Sequence, residues 1–167
     1  MILAFDTYYF DNRAKTVCIA FVTWDSSAPA AMYTETLEGI ADYVPGQFYK
    51  RELPCILSLL LQVPITDVNA IIIDGYVYLD DEQMPGLGGH LYKALQAKIP
   101  VIGVAKSNFA TLNKLKLRLL RGNSTNPLYI TAVGVSLEAA CRCITDMAGP
   151  YRMPTLLKML DMETKAV

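Results

Sequence analysis

Two carboxylates stand where α/β proteins place their chemistry. Asp74 closes the apolar run Ala70-Ile71-Ile72-Ile73 and is followed by Gly75; Asp6 closes Ile2-Leu3-Ala4-Phe5. Runs of that length, rich in β-branched residues, read as strands buried on both faces. An acid at the C-terminal end of such a strand lies at the sheet rim, where ligands of open α/β sheets bind. Glu52, on a helical pattern between the two, is a third acid placed to meet them, and Lys106 follows the buried run Pro100 to Ala105. Converging carboxylates repel one another and are costly to desolvate, so they need a cation. Oxygen-only ligands suit Mg²⁺ or Mn²⁺ and argue against zinc. Such an ion can orient and acidify a water and neutralise charge on a phosphodiester. A lysine alongside can hold a phosphate oxygen or steady the attacking water. Each residue also has an ordinary structural reading: Asp74 opens a turn, and Glu52 sits where a helix dipole favours an acid.

The elements that must position these groups follow in order. Residues 2–9 read as a buried strand, Asp11-Asn12 as a turn, and Val17 to Trp24 as the returning strand of a hairpin. Ala31 to Leu37 alternates as a third, antiparallel strand. Apolar residues at Phe48, Leu53, Ile56, Leu57, Leu60 and Leu61 predict a helix. Pro54 is expected in its first turn, which sets the start near Arg51 or Glu52. Ala70 to Asp74 is the central strand. An irregular acidic stretch from Tyr76 to Gly89 leads to a short helix over 90–97 and a buried strand over 100–105. Residues 112–120 read as a helix or a long hairpin arm, Leu128 to Val133 as a strand, and Ser136 as the N-cap of a helix to about Met147. A last helix runs from Pro154 to about Met162. Three antiparallel strands followed by parallel α/β units predict a mixed sheet of five or six strands with helices on both faces, an α/β order characteristic of ribonuclease-H-like folds, within a single domain over 1–167.

Composition bounds the function. The chain has 167 residues, 53% hydrophobic and 19% charged, with a formal net charge of −1. That is a globular chain with a full core. Its overall charge does not by itself point to nucleic acid, although Lys50-Arg51 and the set Lys114, Lys116, Arg118 and Arg121 form two basic clusters. No secretory leader and no stretch long enough to span a bilayer is read, and the four scattered cysteines read as free thiols. A cytoplasmic monomer that does not engage membranes is expected. No glycine-rich phosphate loop is present.

Several segments together resemble the endonuclease V family. Tyr43-Val44-Pro45-Gly46-Gln47-Phe48-Tyr49-Lys50-Arg51-Glu52-Leu53-Pro54 resembles its aromatic turn running into an Arg-Glu-x-Pro helix start. Leu3 to Tyr9, Ile72-Ile73-Asp74-Gly75, Ile99 to Ser107, Asn126 to Ile130 and Pro150 to Pro154 are similar to further family stretches, in the same order. The resemblance implies a ribonuclease-H-like fold and Mg²⁺-dependent hydrolysis (Mn²⁺ being an alternative) of a phosphodiester near a deaminated base, inosine above all, in DNA or RNA. The products would be a 3′-hydroxyl and a 5′-phosphate. By position, Asp6, Glu52 and Asp74 would be the metal-site carboxylates and Lys106 the catalytic lysine. Tyr43, Val44, Pro45 and Gly46 would form the wedge beside a displaced base; Gly75, His90 and Ser107 would contact substrate, with Gly86 to His90 lining the base pocket. The chain also departs from the family. Ala132-Val133-Gly134-Val135 offers no histidine where a Gly-His pair is usual, Tyr76 to Glu82 is acidic, and the stretch between Ser107 and Asn126 is short. An acidic loop beside a phosphate path would repel substrate. These departures motivate an alternative, a nucleic-acid-binding module of the same fold with weak or lost cleavage.

Overall fold

A computed structural model describes residues 1–167. One seven-stranded sheet has the order β3-β2-β1-β4-β5-β7-β6. Its strands are β1 (Ile2–Phe10), β2 (Arg13–Phe21), β3 (Ala31–Glu38), β4 (Ala70–Asp74), β5 (Val101–Ala105), β6 (Leu117–Leu119) and β7 (Leu128–Val133). The helices are α1 (Phe48–Leu60), α2 (Leu87–Ala94), α3 (Leu137–Asp146) and α4 (Thr155–Lys165). β1, β2 and β3 form the expected antiparallel opening, and β4 and β5 run parallel to β1.

The alternation of each strand sends side chains to two separate cores. Ala4, Ile19, Ile72, Ile102 and Ile130 meet Ile144 of α3 and Leu156, Leu157 and Leu160 of α4 on one face. Leu3, Phe5, Ile71, Ile73 and Val101 meet Ile56, Leu59 and Leu60 of α1 and Leu87 and Leu91 of α2 on the other. Helices therefore cover both faces.

Four expectations are corrected. The sheet has seven strands rather than five or six, and β7 is antiparallel to β5, because β5 and β7 are joined through loop and short strand, without the crossover helix a parallel pair needs. Of residues 112–120 only Leu117–Leu119 is regular, a strand at the sheet edge. The second helix spans Leu87–Ala94, so His90 lies inside it rather than at its start. The first helix begins at Phe48 and carries Pro54 in its interior. Pro54 and Lys50 are both exposed, so the hydrogen bond that Pro54 cannot give to the Lys50 carbonyl is missing on the outer side of the helix. That frame also rotates the buried stripe of α1 to Glu52, Cys55, Ile56, Leu59 and Leu60, an i, i+3, i+4, i+7, i+8 pattern. A glutamate thus occupies a core position.

Candidate active site

Register brings the first two acids together. Phe5 pairs with Ile73 across the parallel β1–β4 ladder, so Asp6 and Asp74, one residue further along each strand, are neighbours at the rim, one strand spacing or about 4.8 Å apart in backbone. Both share strand parity with Ala4 and Ile72 and face the α4 side. Asp74 pairs with Val104 on β5, and the chain leaves β5 directly into Lys106. Lys106 Nζ lies 3.7 Å from Asp74 Oδ2 and 3.2 Å from Asp161 Oδ1. Asp161, on α4, is held in turn by Lys165 Nζ at 2.8 Å. These two ammonium groups pull the Asp161 carboxyl below its ordinary range despite partial burial.

Asp6 is fixed by two donors. The Thr7 amide donates to Oδ1 and the Thr164 hydroxyl to Oδ2, each at 2.9 Å. Burial and the neighbouring Asp74 nonetheless push its pKa up to about 6. Glu52 is 2% exposed, and burial first, then Asp6 and Asp74, holds it well above the usual carboxylate range. Burial also raises Asp74, against the pull of Lys106. Three acids around one rim therefore resist losing their protons, the expected behaviour of clustered buried carboxylates lacking enough positive charge.

The acids arrive from opposite faces of the sheet: Asp6, Asp74 and Asp161 from the α4 side, Glu52 from α1 on the other. No three of the His, Cys, Asp and Glu side chains stand close enough to grip one ion directly. The crevice between Asp6, Asp74, Lys106 and Asp161 encloses about 20 Å³, room for about one water. Its floor is apolar, from Phe5, Ile72, Val104 and Leu160.

A second cavity of about 240 Å³ opens on the α1–α2 side. Tyr43, Gly46 and Gly75 line it, with Phe48, Tyr49, Tyr76, Leu79, Gly86, Leu87 and Phe109. Gly75 has φ +126, a conformation L-residues rarely adopt, and it turns the chain out of β4 toward this cavity. Gly88 and Gly89 pack directly on Val77, with no room for a Cβ. Among the remaining substrate candidates, Val44 is exposed and Pro45 lies on the same exposed turn. Ser107 uses its carbonyl to accept the Tyr76 hydroxyl at 2.5 Å. His90 is not among the residues lining either space; its ring stacks on Tyr49 at 3.7 Å and ties α2 to α1.

Two further residues reach the rim from the C-terminal helix, Asp161 beside Lys106 and Thr164 on Asp6. Only the packing of α4 across β1 and β2 turns them toward the rim.

A mixed sheet with one acid midway along β1, a second at the C-terminal end of the parallel neighbour β4, and helices on both faces is a ribonuclease-H-like architecture. The family model for Endonuclease V matches residues 1–162, and the chain belongs to the endonuclease V family, a family of nucleases. It is 26% identical to endonuclease V of Streptomyces avermitilis, across 91% of this chain and 74% of that protein, and 27% identical to that of Streptomyces coelicolor, across 94% and 75%. Solved structures share the fold. A Ciona intestinalis endonuclease V variant, in complex with a 23mer DNA containing an inosine followed by a ribo-adenosine, gives a TM-score of 0.81 at 16% identity, over 98% of this chain and 83% of that one. The Streptomyces avermitilis structure gives 0.74 at 21% identity, over 98% and 79%.

Proposed function

We propose that this chain is a divalent-metal-dependent endonuclease that hydrolyses a phosphodiester near a deaminated base, inosine above all, in DNA or RNA, leaving a 3′-hydroxyl and a 5′-phosphate. The observation that carries the reading is the gathering of Asp6, Asp74 and Asp161 around Lys106 where β1, β4 and β5 meet, with Glu52 coupled to Asp6 and Asp74 from the α1 side. The donor set fits a hard cation: it is all oxygen, and Asp6, Glu52 and Asp74 are in a state that added positive charge relieves. Asp6 and Asp74 would hold Mg²⁺ or Mn²⁺, with Glu52 and Asp161 engaged directly or through water. Mg²⁺ keeps several waters, which suits ligands arriving from two faces. When bound, such an ion acidifies a water and offsets charge on the phosphate. Lys106, steadied between Asp74 and Asp161, supplies a fixed positive charge for a phosphate oxygen. Burial, then Asp6 and Asp74, holds the Glu52 carboxyl above its usual range, and a bound cation would favour its ionised form. Tyr43, Val44, Pro45 and Gly46 present a rigid apolar turn that can replace a displaced base in the stack, and the cavity at Gly75 would receive that base.

The test is cleavage of labelled inosine-containing strands in Mg²⁺ or Mn²⁺, beside Asp74→Asn. Metal-dependent cutting by the native chain, reduced at least about 100-fold in the variant, supports the proposal. Equal binding by both proteins without cutting supports the alternative, a binding module of weak or lost activity, which the absence of a directly ligating cluster favours.

A further inference from the structure

We infer that the Arg118–Tyr129 face of β6 and β7, opposite the face that α3 covers, together with the loop over 108–116, is a track for the phosphates of a nucleic-acid strand leaving the active site. The inference rests on the proposed nuclease reading and extends it to a surface that reading does not use. Register fixes where the track lies. Ala105 pairs with Tyr129, and Tyr129 with Arg118, in one row across three strands. Arg118 is therefore two strand spacings, about 10 Å, from the end of β5, which delivers Lys106.

The groove there measures about 580 Å³ and is lined by Asn108, Asn113, Lys116, Leu117, Arg118 and Tyr129. No acid lines it, and no carboxylate side chain pairs with Lys114, Lys116 or Arg118. In a chain of net charge −1, Lys116 and Arg118 with two side-chain amides, and Lys114 beside the groove, form a surface complementary to a polyanion. Lys116 is aimed by its neighbours: its ammonium donates to Asn108 and to the Phe109 carbonyl, and lies 5.5 Å over the Tyr129 ring.

The acidic loop that the sequence sets beside the phosphate path builds this track instead of opposing it. Asp81 Oδ1 accepts the backbone amides of Asn113, Lys114 and Leu115 at 3.0, 2.7 and 3.3 Å. These donors hold its pKa below the ordinary carboxylate value. Thr111 donates to the Leu79 carbonyl at 2.7 Å, and Asp80 accepts the amides of Glu82 and Met84 within its own loop. The 108–116 loop is thereby ordered before a strand arrives, which removes part of the cost of binding.

The experiment measures binding of a labelled single-stranded oligonucleotide containing one inosine, by anisotropy across a salt series, and cleavage of the same strand in Mg²⁺. Arg118→Ala, alone and with Lys114→Ala, should raise Kd about 5-fold and about 20-fold near 0.1 M salt, and flatten the slope of log K against log salt by about 0.7 for each cation removed. KM should rise with kcat held, because remote phosphates bind ground and transition states alike. Arg118→Lys should keep the native slope, and Lys98→Ala, at the opposite end of β5, should change nothing. Native Kd and salt slope in the double variant, with cleavage intact, would overturn the track and leave the nuclease reading standing. Native binding that the variants weaken, without cleavage by any protein, would keep the track and remove the nuclease. A native chain that binds no strand would overturn both.

Discussion

Glu52 sits in the buried stripe of α1, where any apolar residue of similar size would pack with less cost. An acid kept there destabilises the fold, a cost the proposed role at the rim would account for. Glu52→Gln should therefore raise the melting temperature of the chelator-treated protein, by about 1–3 kcal/mol of stability, while abolishing cleavage. Scanning calorimetry in EDTA, paired with the strand assay, checks both. Asp6 makes the same trade in a pH-dependent way. Its pKa is about 6 when folded, against an ordinary value of 3.8, so the folded state holds this proton more tightly than the unfolded chain. The contribution is full below pH about 4 and lost as pH rises through about 6, worth roughly 3 kcal/mol at most. Chelator-treated protein should accordingly become more stable between pH 7 and pH 5, and Asp6→Asn should flatten that rise. Below that window Asp81 and Asp161, both held low, lose their paired charge and reverse the trend.

α4 is the element that completes the rim. Lys15 of β2 donates to the Glu163 and Ala166 carbonyls at 2.7 and 2.6 Å, satisfying the C-terminal end of the helix that lies over β1 and β2. Arg121 secures the approach to the same helix. It reads as part of a basic surface cluster, yet it is 6% exposed and donates to the carbonyls of Met147 and Tyr151 at 2.6 Å and of Gly149 at 3.2 Å. Its guanidinium is the lock on the Met147–Tyr151 turn that leads into α4. Arg121→Ala should cost about 3 kcal/mol, and Arg121→Lys should recover less than half, because an ammonium cannot reproduce the fork. Chemical denaturation measures the loss. Thr164→Val removes one donor to Asp6 and should raise the Asp6 pKa further, read by the pH profile of stability.

Across the whole molecule, the charge missing from the rim is the term an ion would supply. Mg²⁺ or Mn²⁺ at about 100 times its dissociation constant should stabilise the native chain by about 2.7 kcal/mol. The gain should shrink in Asp6→Asn and Asp74→Asn, and be largest near pH 7, where the acids are most strained. Thermal shift against metal concentration reads this directly, and an unchanged melting temperature in the native chain would remove the metal from the proposal. No helix is long and apolar enough to cross a membrane.

Much of the rim was written in local sequence. Asp6 lies midway along β1 and reaches the rim because β4 stops beside it at Asp74, whereas Asp74 and Lys106 each follow an apolar run whose length and branching specify a buried strand, so position along the chain is enough to put them at its end. The same holds for the antiparallel opening and the Ser136 cap, whose hydroxyl accepts the Ala139 amide. Tertiary structure alone decided the rest, because those outcomes depend on what lies opposite rather than on what lies adjacent. The direction of β7 followed from its partner. The buried face of α1 followed from where the helix could start, and with it the depth of Glu52. Asp161 entered the site because α4 packs across the sheet, and Asp81 became a loop anchor because three amides from a distant segment meet it. A carboxylate's charge is legible in one letter; whether that charge repels a strand, awaits a cation or holds a loop depends on which donors the fold places around it.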